Sequence, residues 1–124
     1  MGCGMKITLT SFGRKHGSIN ADIVIDVRCL ENPFWVSELR EKSGLDAEVR
    51  DYIFSNPDSM EYLHKLSALL RLQAELACKR SCEHLNIAVG CTGGRHRSVA
   101  AAEFLAKELQ DHDVSVIHRD IGRG

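Results

Sequence analysis

The segment from Cys91 to Ser98 reads Cys-Thr-Gly-Gly-Arg-His-Arg-Ser, which gathers a thiol, two hydroxyls, two glycines and two guanidinium groups into eight residues. Gly90, Gly93 and Gly94 let a backbone turn through positive φ and let a ligand approach it closely. A helix beginning near Arg97 would add free N–H groups and the positive end of its dipole. Arg95 and Arg97 can make bidentate, charge-assisted hydrogen bonds to phosphate oxygens, and the Thr92 and Ser98 hydroxyls can donate or cap. The expected occupant of such a loop is an anion, above all a phosphate.

Cys91 admits two readings. Five residues separate it from Arg97-Ser98, a C-x5-R-S spacing that resembles cysteine-dependent phosphatases, in which a helix N-terminus and an arginine lower the thiol pKa. Asp26-Val27-Arg28 followed at a distance by a cysteine loop is similar to rhodanese-like sulfurtransferases, although their loop is one residue shorter. In this enzymatic alternative Cys91 and Arg97 are the catalytic pair, and Asp26, Asp120 or His96 would have to supply the general acid, none of them singled out by the sequence. In the other reading the thiol only lines a binding loop, and this is the expectation carried forward. Cys78, Cys82 and His84 lie close together at irregular spacing that falls short of a zinc pattern, so neither metal nor cofactor is expected. Cys29 is expected to pack, Cys3 to lie in a poorly ordered terminus, and His64 and His112 to be solvated. Phe34 and Trp35 are expected as a hydrophobic lid or core plug.

These groups need a scaffold. Lys6 to Thr10, Ile23 to Val27, Leu85 to Val89 and Val114 to Ile117 are short β-branched or apolar runs bounded by turn residues, as buried strands are. Cys29 to Asn56 reads mostly as an excursion punctuated by Asn32-Pro33 and Ser43-Gly44, with a short helix from Asp46 to Phe54. Asp58 and Glu61 after Pro57 suggest a capping-box start to a long helix. Its apolar face is Leu63, Leu66, Leu70, Ala74 and Ala77, running to about Lys79. A second long helix, Arg97 to Gln110, turns Ala101, Leu105 and Leu109 inward. The expected fold is a small α/β layer with a mostly parallel sheet of about four strands and helices packed on it.

Parallel strands would bring four polar clusters to one edge: Gly13 to Gly17, Asp26-Val27-Arg28, the Cys91 loop and His118-Arg119-Asp120. Ligands of open α/β sheets bind outside that edge. The weak link is the connection between the first two strands, which is short for a parallel crossover. An antiparallel first strand would carry Arg14 to His16 to the far edge.

The 124 residues suit one domain, residues 1–124, and 16 Lys and Arg against 17 Asp and Glu exclude a global polycation. The absence of a long apolar run or a signal-type N-terminus fits a cytoplasmic chain that does not enter a membrane. An odd five cysteines fit a reducing compartment.

Ser11-Phe12-Gly13, Ala21-Asp22 before Asp26-Val27-Arg28, Asn32-Pro33-Phe34-Trp35, Leu39-Arg40, Ser43-Gly44-Leu45-Asp46, the run from Gly90 to Val99, and His118-Arg119-Asp120 stand in an order that resembles the C-terminal domain of the RapZ family of RNase adaptor proteins. That resemblance covers nearly the whole chain, and the Gly90 to Val99 run is its most specific part. It implies a domain that binds a phosphorylated amino sugar, glucosamine-6-phosphate, and contacts small RNA, helping to present it to an endoribonuclease. It implies binding rather than turnover. Carried over residue by residue, the ligand positions are Asp26, Arg28, Cys91, Thr92, Gly93, Gly94, Arg95, His96 and Arg97, with Ser98 closing the loop. Arg14, Lys15, His16, His118 and Arg119 are the expected RNA-facing residues. Family members also carry a P-loop domain, yet nothing here matches G-x-x-x-x-G-K-[ST], so a stand-alone domain without nucleotide hydrolysis is expected and any P-loop would come from a partner protein. The RNA-binding member has a lysine-rich C-terminal end where this chain has Ile121-Gly122-Arg123-Gly124, which implies weaker phosphate contact with RNA. Assembly into a homo-oligomer is left open.

Overall fold

In the computed structural model residues 4–123 are described, and Cys3 lies outside them. Four strands, β1 (Lys6–Gly13), β2 (Ile23–Asp26), β3 (His84–Cys91) and β4 (Asp113–His118), form one sheet in the order β2-β3-β1-β4. Every pairing is parallel. Three α-helices accompany them, α1 (Ala47–Phe54), α2 (Pro57–Lys79) and α3 (Arg97–Glu108).

The short β1 to β2 connection works because β2 starts part-way up the sheet. Ile87 of β3 pairs with Leu9 on one side and with Ile23 on the other. After Gly13 the chain therefore descends only to the level of Leu9, roughly 13 Å at about 3.3 Å per residue. The antiparallel alternative falls, and all four strand ends point the same way.

Alternation sets the core. Ile7 and Leu9 of β1, with Leu85, Ile87 and Val89 of β3, are buried in one cluster with Val49 and Ile53 of α1, Leu63, Leu70 and Ala74 of α2, and Ala100, Ala101 and Leu105 of α3. Three consecutive buried alanines, Ala100 to Ala102, have no bulk to hold α3 away from the strands. On the opposite face Phe12 packs on Gly90, where a β-carbon would collide with its ring, and the Arg119 guanidinium covers it at 5.7 Å.

Three local expectations are corrected. The start of α2 is capped by Asn56, whose Oδ1 accepts from the Asp58 and Ser59 amides at 2.8 and 3.2 Å, with Pro57 in the first turn. Asp58 is not the cap, and Glu61 instead pairs with Lys65 at 2.9 Å. Cys29 is exposed rather than packed, because its neighbours Val27 and Leu30 fill the core. His64 lies exposed with its ring edge on Phe104, whereas His112 is half-buried with Nδ1 lacking a hydrogen-bond partner. No helix among the described residues is long and apolar enough to cross a membrane.

Candidate functional site

Beyond the ends of β1 and β3 lies a cleft of about 490 Å³. Its floor is the loop from Cys91 to Arg97, with Lys15 beside it. The opposite wall is Asn32, Phe34, Trp35, Arg40 and Glu41. That wall comes from the stretch read in sequence as excursion. It is held in place by the Asn32 side chain, which accepts from the Phe34 amide at 3.1 Å, and by Gly44, whose amide donates to the Arg95 carbonyl at 2.9 Å. A β-carbon at Gly44 would run into the backbone of His96 and Ala100, so glycine is what lets this wall reach the start of α3.

The loop itself is built on close backbone contact with β1. Gly94 adopts φ +83°, and Gly13 at the end of β1 packs directly against Gly93 and Gly94. The Gly94 and Ser98 amides donate to Cys91 Sγ at 3.3 and 3.4 Å, while the Cys91 thiol donates to Ser98 Oγ at 3.1 Å. The amides of Gly93, Arg95 and His96 have no acceptor among the described residues. Cys91, only 2% exposed, thus organises the turn from inside, and Ser98 sits behind it, fully buried.

Arg97 is 7% exposed, yet its guanidinium makes a single hydrogen bond, from Nη1 to the Arg28 carbonyl at 2.7 Å, and no ion pair among the described residues. Arg95 reaches the Ile121 carbonyl at 3.4 Å and lies 3.9 Å from Glu41. Arg40 lies over the Phe34 ring at 5.0 Å and donates to the Phe34 carbonyl. His96 is buried, with Nε2 3.2 Å from both the Leu39 and Arg40 carbonyls, so it ties the wall to the floor. Burial pushes its pKa down and holds it neutral, against the backbone hydrogen bonds that would raise it.

That shift has a sign. Because the folded-state pKa lies below the ordinary 6.5, the neutral ring's contribution is present above that value and is lost as pH falls through the depressed folded pKa. Urea unfolding at pH 7.5 and pH 5 should show lower stability in acid, and His96→Gln should remove part of that difference. An unchanged difference in the variant would exclude His96 as its source.

The other expected site residues are placed differently. Asp26 and Arg28 pair with one another, exposed, through contacts of 2.7 to 3.0 Å, and do not line the cleft. The Arg28 side chain, as the dominant partner, outweighs partial burial and holds Asp26 down to about 2. Arg14 and Lys15 are exposed beside the loop, whereas His16 is half-buried with Nε2 unpartnered. His118 bridges Ser11 Oγ at 2.7 Å and Glu103 at 2.8 Å, fastening β4 to β1 and α3. Arg119 donates to the Gly17 and Ser18 carbonyls and to Asp120.

Asp120, with 0% exposure, is a strut. It accepts from the Gly13 amide at 2.8 Å and pairs with Arg119 and Arg123 at 2.8 and 3.0 Å, directly behind Gly94. Burial would raise its pKa, but these three partners prevail and hold it at about 2. Asp120→Asn should cost about 2–3 kcal/mol by leaving two guanidinium groups short of a carboxylate. Wild-type stability from this group is present above the ordinary 3.8 and is lost as pH falls through about 2. Denaturant titration checks both, and a loss below 0.5 kcal/mol would refute the strut.

Sequence reasoning did not assign Asn32, Arg40 and Glu41 to the site, and of its two readings of Phe34 and Trp35, lid or core plug, the core plug falls. Both aromatics are exposed, at 45% and 74%, so neither plugs the core. The available signal was the density of aromatic, cationic and turn residues within a stretch too long to be a simple connection. No group of three metal-ligating side chains among the described residues could hold a metal ion.

Four parallel strands, helices packed on them, and a glycine- and arginine-rich loop at the strand C-termini define a small all-parallel α/β domain. The family model described as the RapZ C-terminal domain matches residues 5–122, and the chain belongs to that family. A nucleotide-binding protein of Rhodococcus erythropolis is 47% identical over 123 residues, covering 96% of this chain and 41% of that protein. Nucleotide-binding proteins of Frankia alni and Mycolicibacterium smegmatis are 47% and 46% identical, covering 96% and 94% of this chain and 42% of each relative. The chain thus spans about two-fifths of the length of these relatives.

Proposed function

We propose that this domain binds a small phosphorylated ligand, a phosphosugar such as glucosamine-6-phosphate or a nucleotide, in the cleft above the Cys91 loop, and acts as a cytoplasmic sensor or adaptor rather than an enzyme. The observation that carries this reading is Arg97, a nearly buried guanidinium with one backbone acceptor, beside three amides without acceptors. A cation so placed costs several kcal/mol of desolvation unless an anion joins it. The phosphate would take the amides of Gly93, Arg95 and His96, as anions do at helix N-termini, with Arg97 forked onto its oxygens. Thr92 is exposed at the loop's lip to add a hydroxyl.

The phosphatase alternative is disfavoured by its missing acid, and both enzymatic readings by a Cys91 thiol that is 2% exposed and tied to Gly94 and Ser98 inside the turn. Asp26 and Asp120 are both held at about 2, and His96 is held neutral with Nε2 on backbone carbonyls. None is placed to protonate a leaving group near neutral pH. Calorimetric titration with glucosamine-6-phosphate, simple nucleotides and inorganic phosphate tests the reading; no heat with any of them, and no competition by phosphate, would end it.

A second reading is supported by Arg14 and Lys15, exposed cations beside the same loop with no ion pair among the described residues. They would contact the backbone of a small RNA presented to an endoribonuclease. Affinity should then fall with salt, by roughly one unit of log–log slope per phosphate neutralised, and Lys15→Ala should flatten that slope. Salt-insensitive or absent gel shifts would refute RNA contact.

A further inference from the structure

A second pocket, of about 270 Å³ and sharing no lining residue with the cleft, lies where the chain leaving β2 meets the first turn of α2. We propose that it binds an organic cation, a primary ammonium or guanidinium group, between the Glu31 and Asp58 carboxylates and the Ser59 hydroxyl.

Ser59 is the observation that points to a ligand. It is only 5% exposed, yet its hydroxyl has no hydrogen-bond partner among the described residues and stays open to the pocket it lines. Further along the same helix the equally buried Ser67 donates its hydroxyl to the His64 carbonyl at 3.0 Å, the usual way a buried helical serine is satisfied. A buried hydroxyl without a partner costs free energy that a hydrogen bond to an occupant recovers.

Charge decides what the occupant is. Glu31 and Asp58 line the pocket, no cation does, and neither carboxylate has an ion pair among the described residues. An anion is repelled from such a place. The Glu31 carboxylate is also held in position: Oε2 accepts from Asn56 Nδ2 at 2.9 Å, and Oε1 lies 3.5 Å from the Tyr52 hydroxyl. Asn56 is itself fixed, because its Oδ1 caps α2. Tyr62 donates its hydroxyl proton to the Asp26 carbonyl at 3.2 Å, so toward the pocket it offers lone pairs. Two carboxylates fall short of the roughly six to eight oxygens that calcium takes, and no group of three metal-ligating side chains among the described residues could hold a metal ion. A compact cation with several N–H donors satisfies both carboxylates and the hydroxyl together, through charge-assisted hydrogen bonds. Such a group comes either from a free diamine or guanidine or from a lysine or arginine side chain of a protein.

Cys29 lines this pocket with an exposed thiol, whereas Cys82, also exposed, lies beyond the far end of α2. Alkylation of the intact chain by iodoacetamide, followed at both thiols by peptide mass spectrometry, therefore carries its own control. Agmatine, putrescine, a capped Gly-Arg-Gly peptide and neutral butanediol are compared, with calorimetry alongside. The cations should slow alkylation of Cys29 and leave Cys82 unchanged, with butanediol inert. Glu31→Gln and Asp58→Asn should each weaken agmatine binding by roughly tenfold or more, and Ser59→Ala by about three- to tenfold. Glu75→Gln, which removes an exposed charge on α2 outside the pocket, should change nothing. Protection by agmatine or putrescine assigns the pocket to a free cation, and protection by the peptide alone assigns it to a protein side chain. If no cation protects Cys29 or gives heat, if butanediol protects equally, if Ser59→Ala binds agmatine as wild type does, or if Glu75→Gln weakens it as much as Glu31→Gln, the proposal is overturned.

Discussion

Gly94→Ala will destabilise the fold by about 3 kcal/mol, lowering Tm by roughly 10 °C. The cost has two sources that act together. At φ +83° an L side chain is strained in itself, by about 1–2 kcal/mol. A β-carbon there would also lie 2.5 Å from the Gly13 nitrogen and 2.8 Å from the Asp120 Cβ. Neither neighbour can yield: Gly13 is the last residue of a central strand, and Asp120 is fixed by two arginines and the Gly13 amide. The loop must therefore move away from β1, carrying its free amides with it.

Two other glycines separate these sources. Gly17 sits at φ +106° with nothing near its would-be β-carbon, so Gly17→Ala should show the backbone cost alone, about 1–2 kcal/mol. At Gly122 a β-carbon meets open space and no positive φ applies, so Gly122→Ala should stay within about 0.5 kcal/mol. Thermal unfolding of the three variants should rank them in that order. If Gly94→Ala were no worse than Gly17→Ala, the close approach of loop and strand would not be a constraint.

The parts legible in the sequence were those with a local signal. Ile23 to Val27 and Leu85 to Val89 announce strands because β-branched and apolar residues run together between turn residues, and α2 announces itself through Leu63, Leu70 and Ala74. The loop from Cys91 was legible because its residue types are informative even without neighbours. What escaped depends on distance in space. Asn56 competes with Asp58 for the helix cap, and only the backbone geometry decides between them. Phe34, Trp35, Arg40 and Glu41 become a wall only because Gly44 lets the chain lie against α3 some fifty residues later. Asp26 and Arg28 read as two ligand groups, yet two residues apart at a strand end they satisfy each other, and it is the Arg28 carbonyl that reaches Arg97. The polar residues of the His118 cluster look functional in one dimension; in three they are largely fasteners between β1, β4 and α3.

That distinction makes Arg97 the most consequential side chain for binding. Arg97→Ala should weaken phosphate-ligand affinity by about 100-fold or more, since two charge-assisted hydrogen bonds in a poorly solvated cleft contribute roughly 3 kcal/mol. Arg97→Lys should recover only a small part of this. An ammonium keeps the charge, but it cannot hold the Arg28 carbonyl and fork onto two phosphate oxygens in one plane. Arg28→Ala should matter far less, because its guanidinium is engaged with Asp26 in solvent and its contribution to the cleft is a carbonyl that alanine retains. Because removing a buried, uncompensated cation relieves desolvation in the unliganded state, Arg97→Ala should also be neutral or stabilising without ligand while ceasing to be stabilised by it. Arg97 is therefore expected to oppose stability in the free protein and to favour it once phosphate is bound. Thermal shifts with and without glucosamine-6-phosphate or ADP give both readings, and equal ligand-induced shifts in wild type and Arg97→Ala would place the phosphate elsewhere.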